Sequence, residues 1–145
     1  MDYLSVFEIS ASGMEVQKSR LDAVALNLAN VNTTRTAEGG PYTPVGVVIG
    51  EKLGASFEGM FSSISRQYLA GAEIASIEPL NVQPRLAYEP EHPDANEDGF
   101  VAYPNINPVS EMVKLMESTR AYEANVKAVN AAKTMALRAL EIGER

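Results

Sequence analysis

Residues 108–142 read PVSEMVKLMESTRAYEANVKAVNAAKTMALRALEI, and the side chains that repeat there every three or four positions are mostly apolar. The repeating positions are Met112, Leu115, Thr119, Tyr122, Val126, Val129, Lys133, Ala136 and Leu140, of which only Thr119 and Lys133 are clearly polar. Alternating steps of three and four place these side chains on one narrow stripe of a helix, as in coiled coils. The stretch predicts a helix of about 33 residues, about 50 Å long.

Both ends of this predicted helix carry recognisable signals. Asn107 suits the N-cap and Pro108 the first helical position. Glu111 falls near the positive end of the helix dipole, and Gly143 can adopt the left-handed conformation that ends a helix. We therefore expect the helix to span residues 108 to 142.

A second stripe lies near the start of the chain, with the same alternating spacing. It consists of Phe7, Ala11, Met14, Lys18, Leu21, Ala25 and Leu28, of which only Lys18 is polar. Ser5 with Glu8 fits a capping box, and Asp2 could equally cap an earlier start. The polar residues of segment 30–34 compete for backbone hydrogen bonds and should end the helix. The sequence predicts a helix from about residue 3 to about 32.

The middle of the chain has a different composition. All prolines except Pro108 and all glycines except Gly13 and Gly143 lie between the two predicted helices. Strand candidates are residues 46–49, 72–77 and Phe100–Tyr103, and an alternation of Leu80, Val82, Leu86 and Tyr88 that Pro84 interrupts. We predict an α+β fold in which two long terminal helices (1–35 and 107–145) pack as a coiled-coil-like pair around a small β-rich middle (36–106).

Composition narrows the classes of function. The chain has 145 residues, 46% of them hydrophobic, which suits one compact domain, or a small domain with extended arms, rather than several domains. Its formal charge of −7 disfavours nucleic acids and anionic membranes as partners. With no cysteine, it cannot form disulfides or zinc–thiolate sites. We expect neither membrane insertion nor a cleaved signal peptide, because no apolar run approaches the roughly 20 residues of a span and the first basic residue is Lys18.

Few residues of the sequence suggest a catalytic or metal-binding role. His92, the single histidine, lies between two prolines without an evident nucleophile nearby, so we expect a surface loop residue. Segment 94–99, DANEDG, matches the first six positions of a calcium loop, but Asn105 replaces the glutamate of position twelve. Two alternatives stay open: a calcium-stabilised secreted interaction module and a hydrolase using carboxylates such as Glu73, Glu78 and Glu89. We predict no catalytic residue, metal or cofactor.

The two stripes also admit two interpretations. They can bury each other within one monomer as a helical hairpin, or they can pack against other subunits. Lys18 and Lys133 favour the second interpretation, because a polar residue within an apolar stripe usually sets register or partner choice. Four asparagines, at positions 27, 30, 125 and 130, are poor helix formers that could hydrogen-bond between subunits. We therefore predict that both stripes, with Asn27, Asn30 and Asn125, form an assembly interface.

Several segments carry a family resemblance. Residues 26–34, LNLANVNTT, resemble the N-terminal signature of the flagellar axial proteins, which comprise rod, hook and hook-associated subunits. Residues 107–113 and 118–125 resemble the closing signature of the same family, and residues 39–42, GGPY, are a smaller match. Segment 91–105, EHPDANEDGFVAYPN, is similar to the proximal-rod members, which accounts for its calcium-like spelling as a family turn.

The resemblance implies a non-enzymatic rod subunit that self-associates and transmits motor torque. It further implies export through the flagellar type III apparatus without a cleaved signal peptide, and assembly in the periplasm as part of the basal body. The implied partners are other proximal and distal rod proteins and the ring-to-rod adaptor protein. In such a rod, the terminal helices would form the inner core and the middle would face outward.

Overall fold

A computed structural model describes residues 3–51 and 71–143. Two helices, α1 (Tyr3–Ala29) and α2 (Pro108–Gly143), flank four strands. The strands are β1 (Val45–Glu51), β2 (Ala72–Pro79), β3 (Arg85–Tyr88) and β4 (Phe100–Tyr103). The predicted α+β class, with long terminal helices and a β-rich middle, is confirmed.

The helix boundaries follow local hydrogen bonding. Asn107 Oδ1 accepts the backbone N–H groups of Val109 at 3.0 Å and Ser110 at 3.3 Å, so the predicted N-cap of α2 is confirmed. At the end of α1, Asn30 Nδ2 donates to the Leu26 carbonyl at 2.9 Å. The Asn107 side chain thus replaces missing backbone partners at the start of α2, whereas the Asn30 side chain adds a second hydrogen bond to a carbonyl that already accepts the Asn30 N–H at 3.1 Å.

The predicted capping box at Ser5 is wrong, because α1 already begins at Tyr3 and Ser5 lies inside its first turns. Asp2, the alternative cap, lies outside the described residues. The end of α1 at Ala29 falls three residues before the predicted limit of about 32. There the Asn30 side chain and its backbone N–H both donate to the Leu26 carbonyl.

Two antiparallel pairs make up the middle. Strand β1 pairs with β2 from Val45 opposite Pro79 to Glu51 opposite Ala72, with a register shift between Val48 and Ile49. Strand β3 pairs with β4, Arg85 lying opposite Tyr103. All three continuous strand candidates are confirmed. The alternation from Leu80 to Tyr88 becomes a strand only after Pro84, whose ring cannot donate to a ladder.

The turn between β3 and β4 is held by its own polar groups. Asn96 Oδ1 accepts the backbone N–H groups of Asp98 at 3.1 Å and Phe100 at 2.7 Å. Gly99 has a φ of 79°, and a Cβ placed there would also lie 3.0 Å from the Tyr88 ring. This turn therefore needs glycine for both conformation and space.

Helices α1 and α2 run antiparallel and share the most extensive interface of the described chain. Asn27 contacts Glu111, whereas Gly13 approaches Asn125. Between these two contacts α1 runs forward from residue 13 to 27, and α2 runs backward from residue 125 to 111, which is 14 residues in each helix. Strands β1 and β2 pack beside α1. Neither described helix combines the length and hydropathy that a membrane span requires.

Candidate assembly interface

A buried amide joins the two helices to the sheet. Asn27 is 3% exposed, and its Oδ1 accepts the Val45 N–H at 2.9 Å and the Tyr42 hydroxyl at 3.1 Å. Its Nδ2 donates to the Val45 carbonyl at 2.9 Å and to Glu111 Oε2 at 3.4 Å. All four hydrogen-bonding positions of the amide are therefore occupied within the chain. We call Asn27, Tyr42, Val45, Glu111 and Lys114 the Asn27 cluster.

The charge within this cluster is balanced locally. Glu111 is 6% exposed, and its Oε1 lies 2.6 Å from the Lys114 ammonium. Partial burial and, secondarily, the Glu111 carboxylate raise the pKa of Tyr42 above its ordinary value of 10.0. Both effects disfavour the phenolate, so Tyr42 acts as a hydroxyl donor to Asn27.

Three of the segments with the family resemblance meet at this cluster. Asn27 belongs to segment 26–34, Tyr42 to segment 39–42 and Glu111 to segment 107–113. From the sequence, we predicted that Asn27 contacts other subunits and that Glu111 interacts only with the helix dipole. The sequence did not predict a role for the Tyr42 side chain. The sequence feature that could have indicated this cluster is Asn27 itself, a polar residue within an otherwise apolar run. Such a residue needs hydrogen-bond partners once it is buried.

The predicted stripe of α1 is turned away from α2. At about 100° per residue, most of its members lie roughly 100° or more around the helix from Gly13 and Asn27. Its alanines, Ala11 and Ala25, and Lys18 are exposed, and the remaining members, Phe7, Met14, Leu21 and Leu28, are half-buried. Among residues 5–29 of α1, those that are buried are Ser10, Val16, Ala23, Val24 and Asn27. The pairing with α2 therefore does not use this stripe, whose large side chains are only partly exposed.

The predicted stripe of α2 is divided between buried and exposed positions. Leu115, Thr119, Val126, Val129 and Ala136 are half-buried, whereas Met112, Tyr122, Lys133 and Leu140 are exposed. The helix instead approaches α1 through positions seven residues apart, namely Glu111, Ser118, Asn125 and Ala132. Of the predicted asparagines, Asn30 caps α1, Asn125 is half-buried against Gly13, and Asn130 is exposed.

Much of the apolar surface has no intramolecular cover. Within residues 5–51 and 71–142, only seven apolar side chains are buried: Val16, Ala23, Val24, Pro44, Val101, Pro104 and Ala132. Eighteen large hydrophobic side chains in the same ranges are exposed, including Met112, Leu137 and Leu140 on α2. Scattered single hydrophobic residues are normal on surfaces, but the described residues leave an unusually large number exposed relative to the buried set.

A groove of about 500 Å³ lies beside the Asn27 cluster, between α1, α2 and β1. Val24, Val47 and Leu80 contribute apolar surface to it, and Arg20 and Glu117 contribute charge. Gln17 Oε1 is buried at its edge and accepts no hydrogen bond from the described residues. The mixed lining carries no set of groups arranged for catalysis.

The calcium-like segment forms an ordinary turn. Asp94 Oδ2 accepts the Thr34 hydroxyl at 2.8 Å, and Asp94 also lies 3.7 Å from Arg35. Asn96 is engaged by backbone N–H groups of its own turn. His92 Nδ1 accepts the Asp94 N–H at 3.1 Å, as expected of a loop residue. Two of the three candidate ligand residues are therefore engaged elsewhere, Asp94 with segment 34–35 and Asn96 within the turn.

The three carboxylates of the hydrolase alternative are all exposed. Glu78 accepts the Ser76 hydroxyl at 2.7 Å, and Glu89 accepts the Tyr103 hydroxyl at 2.9 Å. In the parts of the chain that the structure describes, no three acidic or histidine side chains converge as a metal site. These positions therefore offer no acid/base pair in a cleft.

Two family models match the chain at the two ends of the fold. Residues 7–35 match the flagella basal body rod protein model, and residues 97–142 match the model of the flagellar basal body rod FlgEFG protein C-terminal region. The first covers most of α1, and the second covers β4 and nearly all of α2. Both matches include a residue of the Asn27 cluster.

Curated relatives match over almost their whole length. The flagellar basal-body rod protein FlgC of Bacillus subtilis is 42% identical over 142 residues, covering 94% of this chain and 95% of the relative. FlgC of Borreliella burgdorferi is 34% identical, with 98% of each chain covered. FlgC of Salmonella typhimurium is 33% identical, covering 99% of this chain and 100% of the relative. The chain belongs to the FlgC family of flagellar basal-body rod proteins.

Proposed function

We propose that this chain is a structural subunit of the proximal flagellar rod that polymerises through its terminal helices and transmits motor torque. The exposed apolar surface carries the proposal, since the described residues bury seven apolar side chains and expose eighteen large ones. A subunit that completes its hydrophobic core only against neighbours requires such a distribution. The role is mechanical rather than catalytic.

The energetics favour folding coupled to assembly. Burial of apolar surface contributes roughly 25 cal/mol per Å², so each exposed leucine or methionine that becomes covered adds about 1.5–3 kcal/mol. Within the monomer, the helix pair relies on small and polar residues such as Gly13, Ser118 and Ala132. The larger side chains are thus reserved for contacts between subunits.

The proposed assembly interface consists of the two predicted stripes. On α1 this surface does not face α2, and Leu21 is its central apolar residue. On α2 it runs from Met112 to Leu140, which are both exposed. Burial of Lys18 and Lys133 beside partner carboxylates would select register, because an unpaired buried charge is costly.

The wider setting of the proposal follows from family membership. We place the chain in the periplasmic part of the basal body, beside other proximal and distal rod proteins and the ring-to-rod adaptor protein. We further infer export through the flagellar type III apparatus without cleavage of a signal peptide. Helices that lack a large intramolecular core could pass such a channel loosely ordered and fold on arrival.

The test is mass spectrometry of detergent-extracted basal bodies, with a deletion strain as the control. We expect the chain at a level comparable with other rod subunits, and its N-terminal peptide intact. Absence of the chain from otherwise complete basal bodies would contradict the assignment as a rod subunit. A shortened N-terminal peptide would contradict only the proposed route of export.

A further inference from the structure

The hairpin of β3 and β4 has one covered and one uncovered face. Residues directly opposite each other in an antiparallel pair share a face, and so do alternate residues of one strand, so Leu86, Tyr88 and Phe100 lie together. Their exposed fractions are 64%, 67% and 39%. On the other face, Val101 is fully buried. We call Leu86, Tyr88 and Phe100 the hairpin face.

The two rings of the hairpin face are held in place within the chain. The centroids of the Tyr88 and Phe100 rings are 5.3 Å apart in an edge-to-face arrangement. Gly99 leaves room for the Tyr88 ring, because a Cβ at position 99 would lie 3.0 Å from Cε2 of that ring. Rings that are already fixed lose little side-chain entropy when a partner covers them. The hairpin face is therefore preorganised for contact.

Negative charge is concentrated around this hairpin. Residues 71–107 contain seven acidic side chains and one basic side chain, so they hold a net −6 of the −7 of the chain. Glu97 and Asp98 in the β3–β4 turn are exposed, and no described basic residue forms an ion pair with them. The one basic residue, Arg85, lies over the Tyr103 ring at 5.4 Å from its centroid, on the opposite face. The carboxylates beside the hairpin face are therefore available to a cationic partner.

We propose that the hairpin face binds a basic segment of a partner protein, with an arginine or lysine of that segment on the Tyr88 and Phe100 rings. A cation is attracted to the face of an aromatic ring. The Glu97 and Asp98 carboxylates attract further positive charge and steer the approach of the partner. Leu86 adds apolar surface for the aliphatic part of the arginine or lysine side chain. The inference goes beyond the proposed function, because the contact uses neither terminal helix.

A second copy of this chain does not supply the required positive charge. Its hairpin has the same negative charge and would be repelled. Helix α2 has five basic and four acidic side chains, and α1 has two basic and three acidic ones. Neither helix is therefore a strongly basic counterpart. The charge distribution favours a different, basic protein as the partner.

The partner should contact the face of the hairpin and not its edges. Pro84 directly precedes β3, Pro90 lies two residues after it, and Pro104 directly follows β4. Proline cannot donate a hydrogen bond to a ladder, and short edge strands beside prolines resist the addition of another strand. Recognition therefore depends on side chains of the partner and not on its backbone conformation.

The size of the hairpin face indicates a weak contact. Three large side chains provide a few hundred Å², well below the roughly 1,000 Å² of a stable specific interface. Attraction between exposed charges is screened over about 10 Å at 0.1 M salt. We therefore expect binding that weakens markedly as the salt concentration rises.

An NMR titration of the full chain with a synthetic peptide tests the proposal. The probe is a short capped peptide of alternating arginine and leucine. We expect saturable chemical-shift changes concentrated at residues 86–88 and 97–102. Tyr88→Ala should weaken the affinity about fivefold, because it removes the ring on which the cation lies. The same peptide with glutamate in place of arginine should not bind.

Variants of β2 are the matched controls. Ile77→Ala removes an apolar side chain of similar exposure, and Glu73→Gln/Glu78→Gln removes two exposed carboxylates. Both should bind the peptide nearly as the wild type does, whereas Glu97→Gln/Asp98→Asn should bind more weakly and with less dependence on salt. Shift changes spread over the whole chain, or equal affinities of Tyr88→Ala and Ile77→Ala, would overturn the proposal.

Photo-crosslinking in isolated basal bodies then examines the natural partner. Benzoylphenylalanine in place of Tyr88 should cross-link to an arginine- or lysine-containing segment of a different protein. Because the helix stripes are unchanged, this variant should incorporate like the wild type. Cross-links to a second copy or to a glycan, or none from incorporated chains, would overturn the proposal and leave the proposed function intact. Absence of the wild-type chain from basal bodies would remove the proposed function, and the peptide titration would still decide whether the hairpin face binds basic segments.

Discussion

Asn27 holds three segments together through one side chain. Its amide pairs with both backbone groups of Val45, much as a neighbouring strand would, while it also contacts Tyr42 and Glu111. A buried amide with every position occupied specifies a single arrangement, because any shift of helix or strand leaves a donor or acceptor without a partner. The relative placement of α1, β1 and α2 therefore depends strongly on this residue.

Replacing Asn27 by alanine should destabilise the isolated chain by about 3 kcal/mol. The change leaves the Val45 N–H and C=O groups and the Tyr42 hydroxyl without partners in a buried site. Urea unfolding followed by far-UV circular dichroism measures the loss. Asn130→Ala, at an exposed position of α2, is the matched control and should stay within about 0.5 kcal/mol of the wild type. Equal effects at both positions would contradict the assigned role of Asn27.

The titration of Tyr42 should depend on Glu111. Because the folded-state pKa of Tyr42 is raised above 10.0, its contribution to stability is fully present below pH 10 and is lost as pH rises through the folded pKa. The tyrosinate absorbance of Tyr42→Phe, subtracted from that of the wild type, isolates this titration. In a Glu111→Gln background the same difference should show a lower midpoint. An unchanged midpoint would show that the Glu111 carboxylate does not act on the phenol.

The helices meet through small side chains rather than large ones. Gly13 lies so near Asn125 that an added Cβ would be 3.0 Å from its Nδ2. Ser118 and Ala132 continue the same approach on α2. Small residues allow the backbones to approach closely, and they leave leucine and methionine for other faces. Each helix thus has a close intramolecular side and an apolar outer side.

A double-mutant cycle tests the close approach. Gly13→Ala alone should give little or no stabilisation, because the new methyl group crowds Asn125. In an Asn125→Ala background, the same change should stabilise the chain by about 0.5–1 kcal/mol, which is the helix preference of alanine over glycine. Denaturant unfolding of the four proteins gives the coupling energy. Additive effects would show that the two residues do not constrain each other.

The outer sides of the helices should matter for assembly and not for folding of the middle. Val126→Asp places a charge that would be buried in the rod at a cost of several kcal/mol, so it should block incorporation and motility. Lys127→Asp, one position further on and exposed, is the matched control and should be tolerated. Leu21→Asp should act like Val126→Asp from α1. Normal motility with either apolar-to-aspartate change would contradict the predicted stripes.

Sequence periodicity located the elements but did not identify the packed faces. Alternation and β-branched content found β1, β2 and β4, and the three-four spacing found both helices, because these patterns depend on the local chain. The same spacing marks the most apolar face of a helix, and in α1 that face points away from α2. The buried seam could not be recognised because it contains Ser10, Asn27 and Glu111, whose burial depends on distant partners.

For the molecule as a whole, stability is distributed unevenly along the helix pair. The end near Asn27 combines the buried amide, the Glu111–Lys114 ion pair and contacts with β1. The opposite end includes residues 136–142 of α2, whose large side chains Leu137, Leu140 and Ile142 are exposed. Local opening is easiest where buried contacts are fewest. In the free subunit, the end of the helix pair near Asn27 should therefore be the better ordered one. Assembly should order the opposite end.

Hydrogen exchange of the free chain should reveal this gradient. Amides near Asn27 and Ser118 should exchange slowest and those of residues 136–143 fastest, with mass spectrometry of peptides as the measurement. In isolated basal bodies, the protection of residues 136–143 should increase the most. Uniform protection along α2 in the free chain would contradict the uneven distribution of stability.

The antiparallel pairing also decides where a reporter can be attached for microscopy. A fluorescent domain fused ahead of α1 or behind α2 would lie at the same end of the helix pair, directly beside the proposed assembly interface in either case. The turn at Glu97 and Asp98 is exposed, and Thr34 and Asp94 hold it beside the opposite end. A small dye at that turn should follow the subunit into a growing rod without halting its elongation.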